Sequence, residues 1–364
     1  MSQVSPVRSV LSGPSAFYAQ PDYKRTTKQE LASKRPLNST SYTFETESKT
    51  ARAAKKILSV IIFPIGIYRL AHSLIAKIVL PASGSKGATH FQKLRENFDL
   101  NGKWKLKRLS IKVDGFVIDA LIVGKSSTLN NGRWALYSNG NDEGYEEVLN
   151  FNKNYVDHTF TEILTQIKGN GLIFNYPGVG ANKGAMPSRS AMSKAYRAML
   201  SFLEDQDKGI GAKEIIGYGH SIGGGVQGDA LRKHQLKDGI KYVFVKSVTF
   251  SDLSSAAASI TNRVLGFFIK VFGWNMGSVE SSKKLKAPEI IMQTAQVKNY
   301  TDLKGHPDWV VDDGVISANA SLAKKLLEDD ACPKKNKFFM GRPEGHNRML
   351  RDPSFLSKKI IEML

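Results

Sequence analysis

Ser221 stands at the centre of Gly219-His220-Ser221-Ile222-Gly223, between the apolar run Ile215-Ile216-Gly217-Tyr218 and the glycine-rich Gly224-Gly225-Val226-Gln227. G-x-S-x-G carries chemistry where a strand enters a tight turn and leaves as a helix. The flanking glycines permit a turn sharp enough to expose the hydroxyl, and the helix that follows aims its first N–H groups at any oxyanion formed there. The chemistry of such a serine is attack on an acyl carbon. Five residues with three fixed positions also occur in ordinary strand-turn-helix junctions, so this reading depends on partners elsewhere in the chain.

Those partners occur in a consistent order. A serine hydroxyl needs a base to take its proton and a carboxylate to orient that base. Downstream, the strand-like Glu289-Ile290-Ile291-Met292-Gln293 precedes Gly305-His306-Pro307-Asp308-Trp309-Val310-Val311, and Lys337-Phe338-Phe339-Met340 precedes Glu344-Gly345-His346-Asn347. Of the seven histidines, His346 is the expected base, since it follows the last strand with small Gly345 before it. His220 belongs to the turn around the serine. The expected acid is Asp308, in G-x-x-D-x-V-V from Gly305 to Val311. Asp312 and Asp313 in the same loop, and Asp252 after Thr249-Phe250-Ser251, stay as alternatives. Only a carboxylate about 2.6 to 3.2 Å from the imidazole orients it.

Two further strand ends complete the pattern. Arg133-Trp134-Ala135-Leu136-Tyr137-Ser138 runs into Asn139-Gly140-Asn141-Asp142, and Gly171-Leu172-Ile173-Phe174-Asn175-Tyr176 runs into Pro177-Gly178-Val179-Gly180. Asn139-Gly140-Asn141 resembles the H-G-N oxyanion loop of α/β hydrolases, and Asn175 to Gly184 resembles their D-Y-R-G-x-G-x-S-x-G loop. The resemblance covers roughly residues 100 to 364. More narrowly, the layout with the segment Phe63-Pro64-Ile65-Gly66-Ile67-Tyr68-Arg69-Leu70 resembles chlamydial CHLPS-type (DUF818) proteins. It implies an α/β-hydrolase fold with a mainly parallel sheet and a Ser221, Asp308, His346 triad. The backbone N–H groups of Ile222 and Asn141 then form the oxyanion hole, with no metal or cofactor required. The chain departs from the pattern at Asn139 and at Asn175-Tyr176-Pro177, which lacks both charges of D-Y-R. Backbone oxyanion donors survive such changes.

Composition sets the outer limits. The 364 residues suffice for one α/β domain of about 200 to 250 residues and an additional element. A net charge of +19 favours anionic surfaces, and its spread along the chain, without a helix-turn-helix, zinc or aromatic-basic RNA signature, argues against nucleic acid. Cys332, the single cysteine, excludes an intrachain disulfide and a thiolate zinc cluster.

Composition and patterning divide the chain into three regions. Residues 1–52 form a basic, Ser/Thr-rich stretch broken by Pro6, Pro14, Pro21 and Pro36, which reads as a disordered tail. It lacks the apolar core of a Sec signal, so export, if any, takes another route. Residues 53–95 form a hydrophobic helical segment whose part from 57 to 80 is expected to touch a membrane surface or to act as a lid. From Arg69 onward, His72, Ser73 and Lys77 are placed on one helix face, opposite Leu70, Leu74, Ile75 and Ile78. A full span would bury Arg69 at a cost of about 2.5 to 3.5 kcal/mol, and Pro64 and Gly66 break the helix, which favours an in-plane or re-entrant element. Residues 100–364 form the hydrolase domain. Within it, about 253–285 reads as a lid insertion, its apolar face carrying Ile260, Val264, Phe267, Phe268, Val271, Phe272 and Trp274, with Arg263 and Lys270 opposite.

Two function classes fit these observations. One is a membrane-associated serine hydrolase acting on an ester or thioester of a lipid or other acyl group. The other is a catalytically silent hydrolase fold that binds a membrane or a host protein. An intact Ser, Asp and His set favours the first, because a scaffold has no physical need of all three.

Overall fold

The computed structural model describes residues 42–61, 72–84, 104–149, 158–182 and 186–364. Asp114 and Gly115 both take positive φ, 43° and 89°, the requirement of a type I′ turn. This closes the hairpin of β2 (Trp104–Val113) and β3 (Phe116–Lys125) where the sequence places it. The other expected strands are present as β4 (Arg133–Ser138), β5 (Asn170–Phe174), β6 (Glu214–His220), β7 (Lys241–Ser247), β8 (Glu289–Thr294) and β10 (Lys337–Arg342).

With β1 (Tyr42–Phe44) and β9 (Thr301–Asp302) they form one sheet in the order β1-β2-β3-β5-β4-β6-β7-β8-β10-β9. From β5 to β10 all neighbours run parallel, so β4, β6, β7, β8 and β10 end on the same edge. Such an edge is where open α/β sheets place their ligands. Both sheet faces are covered, which explains why the central strands are near-continuous apolar runs rather than alternating ones. Leu136, Phe174 and Phe244 pack into one layer, with Tyr196 and Met199 of a long helix. Tyr137, Ile216 and Val245 pack into the other, with Phe160 and Leu356.

Residues 42–52, assigned by composition to the tail, are instead part of the fold. β1 pairs in parallel with β2, and Tyr42 packs edge-on against Phe202 with ring centroids 5.1 Å apart. Helix α1 (Lys49–Ile61) comes next in the chain. Asp114 of the hairpin turn holds this stretch, accepting from Thr46 N at 2.7 Å and pairing with Lys194 Nζ at 2.8 Å. A three-residue strand is too short to produce a periodicity, so its signal lies in pairing rather than pattern. Residues 1–41 lie outside the described residues.

The segment from 57 to 80 divides in the same way, since 62–71 fall outside the described residues. Helix α2 (residues 72–79) docks on the body by Ile75, Ala76 and Val79, which with Leu80 just after it are buried in the first layer. Its faces differ from those expected: His72 turns inward beside Trp274, ring centroids 5.1 Å apart, while Leu74 and Ile78 are exposed. Packing against Trp274 outweighs the polarity that would otherwise point His72 at water. Among the described residues no helix is long and apolar enough to cross a membrane.

The insertion after β7 opens with two helices, α3 (Leu253–Ile260) and α4 (Arg263–Val271), each with a side-chain N-cap, from Asp252 and Asn262. Its expected polar residues, Arg263 and Lys270, are exposed, but the expected apolar face is only partly buried. Ile269 and Trp274 are buried, whereas Ile260, Val264, Phe267, Phe268 and Val271 are exposed.

Candidate active site

β6 ends at His220, and Ser221 sits in the left-handed region at φ 52°, ψ −121°. A non-glycine residue there costs roughly 1 to 3 kcal/mol and persists only where its surroundings hold it. Ser221 N donates to Ser247 O at 2.9 Å, and Ser221 O accepts from Gly224 N at 3.0 Å and from Thr249 Oγ1 at 2.7 Å. The turn also needs glycine at 223. A Cβ there would lie 2.1 Å from the carbonyl oxygen of Ser138, so any side chain would drive the following helix, Ile222–Leu231, away from the end of β4.

His346 lies in the loop after β10, and its ring joins two other strand ends. Nε2 is 2.9 Å from Ser221 Oγ, and Nδ1 is 2.8 Å from Asp313 Oδ2. With the carboxylate accepting from Nδ1–H, Nε2 is the acceptor for the serine hydroxyl. The backbone N–H of His346 also donates to Asp313 O at 2.8 Å, so the two loops are tied at main chain and side chain.

The carboxylate beside His346 is therefore that of Asp313, one of the three alternatives, and not that of Asp308. Asp308 is exposed on a short 3-10 turn, Pro307–Trp309, and Asp312 is exposed and accepts from Ala318 N at 2.6 Å. Asp252 is occupied in capping α3, accepting from Ser255 N at 2.9 Å. The cause is the length of the excursion after β8. The chain leaves through β9 and the 3-10 turn, then returns to the end of β8, where Val310 bridges Ala295 and Val311 N donates to Thr294 O at 3.2 Å. The carboxylate that reaches His346 lies beyond that return, five positions along from Asp308.

Asp313 is buried and fully engaged. Its Oδ1 accepts from Val315 N at 2.9 Å and Ile316 N at 2.6 Å, and its Oδ2 also accepts from Gln293 Nε2 at 3.2 Å. Burial alone would raise its pKa, but the hydrogen bond and charge of His346 and the two backbone N–H groups outweigh it and hold the carboxyl below the ordinary value. A folded value below the unfolded one means that the stabilisation is fully present above the unfolded pKa of about 3.9 and is lost as pH falls through the lowered value. The expected result is that the thermal midpoints of wild type and Asp313→Asn keep a constant difference from pH 5 to 8 and converge only in acid below about pH 4.

His220 stays neutral. Burial, reinforced by the neighbouring His346 and Arg342, holds it well below the ordinary imidazole value. Its ring centroid is 5.3 Å from that of His346, and its Nδ1 makes no hydrogen bond among the described residues.

Sequence reasoning passed over Arg342, which braces the histidine loop. Buried at the end of β10, it donates through one guanidinium nitrogen to Gly345 O at 3.2 Å and to Arg348 O at 2.5 Å, carbonyls on either side of His346. Its Nε lies 3.4 Å from Glu344 Oε2, and Glu344 Oε1 accepts from Tyr300 OH at 2.9 Å. An arginine at a strand end carries no motif, and only the folded loop gives it a role. Arg342→Ala leaves Glu344 buried without its closest cation and is expected to lower unfolding free energy by about 3 to 5 kcal/mol, measured by urea denaturation.

Above Ser221 lies a cavity of about 220 Å³. Asn141 and Ile222, the expected oxyanion donors, line it with Ser221. Its walls are otherwise mostly apolar: Phe250, Leu253, Ala257 and Ile269 from the insertion side, Ile78 and Val79 from α2. Ala82 N donates to Asn141 O at 3.2 Å, tying the turn after α2 to the oxyanion loop. Of the departures from the α/β-hydrolase motifs, Asn175 is a brace, its Oδ1 accepting from Tyr145 N at 2.9 Å, while Tyr176, which keeps the motif, donates from its OH to the backbone carbonyl of Asn139 at 2.9 Å. No cluster of His, Cys, Asp or Glu among the described residues is arranged to hold a metal.

Sheet order, elbow and site together define an α/β-hydrolase fold. An α/β hydrolase from Vibrio vulnificus aligns over 91% of this chain and 99% of its own at 14% identity, with a TM-score of 0.56. Lower scores go with an esterase from Pyrococcus furiosus, at 13% identity over 71% of this chain and 88% of its own (TM-score 0.47), and a cold-adapted esterase from an Arctic intertidal metagenomic library, at 13% identity over 73% and 97% (TM-score 0.45). Residues 48–364 match the family described as Chlamydia CHLPS protein (DUF818), and the chain belongs to that family. A search of curated proteins found no match.

Proposed function

We propose that the protein is a serine hydrolase that cleaves an ester or thioester of an apolar acyl group through an acyl-enzyme. One observation carries this reading: the continuous chain from Ser221 Oγ to His346 at 2.9 Å and from His346 to Asp313 at 2.8 Å. In the first step Ser221 Oγ attacks the carbonyl carbon as His346 Nε2 takes its proton, and Asp313 holds the Nδ1–H tautomer and offsets the imidazolium charge. The backbone N–H groups of Ile222 and Asn141 receive the oxyanion, a contribution of about 3 to 4 kcal/mol per donor. Collapse expels the alcohol or thiol, which takes the proton from His346. Water then attacks the acyl-enzyme by the same route and regenerates Ser221.

The apolar walls support an acyl chain rather than a polar substituent beside the serine, and α3, α4 and α2 serve as its lid. Membrane association through 57–80 belongs to this reading, which the net positive charge supports. A fluorophosphonate probe tests it: the protein should be labelled at Ser221 and should hydrolyse a series of esters and thioesters of increasing chain length. Failure of both labelling and hydrolysis would leave a silent, binding fold.

A further inference from the structure

A helix on a soluble body normally has one apolar stripe, and it is buried. α4 has two. Its inner side, with Leu265 and Ile269, borders the cavity, while Val264 and Phe267 on the outside are 61% and 62% exposed. Phe268 and Val271 are exposed as well, and Leu74 of α2 is 56% exposed. The outer surface is continuous with the site, because Ile78 and Ile260 each line the Ser221 cavity and are also more than half exposed. The cavity beside the candidate nucleophile and the outer surface therefore share apolar side chains. Exposed large apolar side chains gathered at one place mark an interaction surface.

Charge identifies what it meets. From Leu253 to Val279 there is no acidic residue, and Arg263 and Lys270 are exposed beside the aromatic stripe. On α2, residues 72–79, there is again no acidic residue, and Lys77 is exposed. α2 and the insertion helices meet at the cavity, which Ile78, Ile260 and Leu265 all line. Apolar side chains rimmed by cations match an anionic lipid surface, where acyl chains take the former and headgroups the latter.

We infer that the face made by Leu74 and Ile78 of α2 with Val264, Phe267, Phe268 and Val271 of α4 docks the protein on an anionic lipid surface, so that an acyl substrate passes from the lipid directly into the Ser221 cavity. This rests on the hydrolase reading for its last step only. Docking itself is a property of the surface and holds for an inactive protein.

Flotation of the full chain with phosphatidylcholine vesicles, with and without phosphatidylglycerol, tests the inference. Wild type and Ser221→Ala should both float with the phosphatidylglycerol vesicles, and less so as salt rises through the range that screens surface charge. The double variant Val264→Asp/Phe267→Asp, and separately Leu74→Asp, should float about tenfold less or worse, the lower end of what losing buried apolar contacts does. None of these three residues lines the cavity, so both variants should hydrolyse a short water-soluble ester as wild type does, which also reports their folding. Vesicle binding by Ser221→Ala separates failure of docking from failure of the hydrolase reading. The inference is overturned if wild type floats equally with both vesicle types or with neither, or if the variants float as wild type. It is also overturned if Val264→Asp/Phe267→Asp instead dissolves a dimer of the free protein, which would make the occupant a second copy.

Discussion

Ser221→Ala should abolish turnover and fluorophosphonate labelling while the protein stays folded. Loss of the nucleophile in a serine triad lowers kcat by on the order of 10⁵ to 10⁶, leaving only what the oxyanion donors and binding supply. Stability should hardly change. Ser221 N and O keep their bonds to Ser247, Gly224 and Thr249, and alanine has the same Cβ to accommodate at φ 52°. Matched circular dichroism and thermal midpoints, beside a rate at the detection limit, are the expected pair of results. Wild-type turnover in the variant would sink the hydrolase mechanism outright.

Asp313→Asn is the second large effect, and its comparison with Asp308→Asn separates the geometry from the motif. An amide at 313 accepts through one atom only. If its oxygen keeps the Val315 and Ile316 N–H groups, its NH₂ faces His346 Nδ1 and selects the tautomer with Nε2 protonated. That tautomer has no lone pair for the serine proton, and kcat is expected to fall by about 10⁴. Asp308→Asn, on an exposed turn, should leave kcat within about twofold, as surface substitutions away from a site do. Steady-state kinetics on one ester decide between them. A collapse in Asp308→Asn with normal rates in Asp313→Asn would reverse the assignment.

The scaffold and two of the three polar groups can be read from residue order alone. Ser221 is legible because the left-handed turn demands glycines at fixed offsets, and Gly223 has no room for a Cβ. The strands are legible because a sheet covered on both faces selects continuous apolar runs, and Asp114-Gly115 encodes its own turn. His346 is legible from its place after the last parallel strand. These are local rules, each satisfied within a few residues.

Contacts between distant segments set the rest. The carboxylate partner of His346 is fixed by where the excursion after β8 returns, through Val310 on Ala295 and Val311 on Thr294, and no spacing within the loop encodes that return. Arg342 matters only once Gly345 and Arg348 close around it. The facing of α2 and α4 is settled in the same way. A hydrophobic period identifies an apolar stripe but not its cover, and where both sides of a helix are apolar the one that finds a partner is buried, as Ile269 is, while Phe267 is left outside.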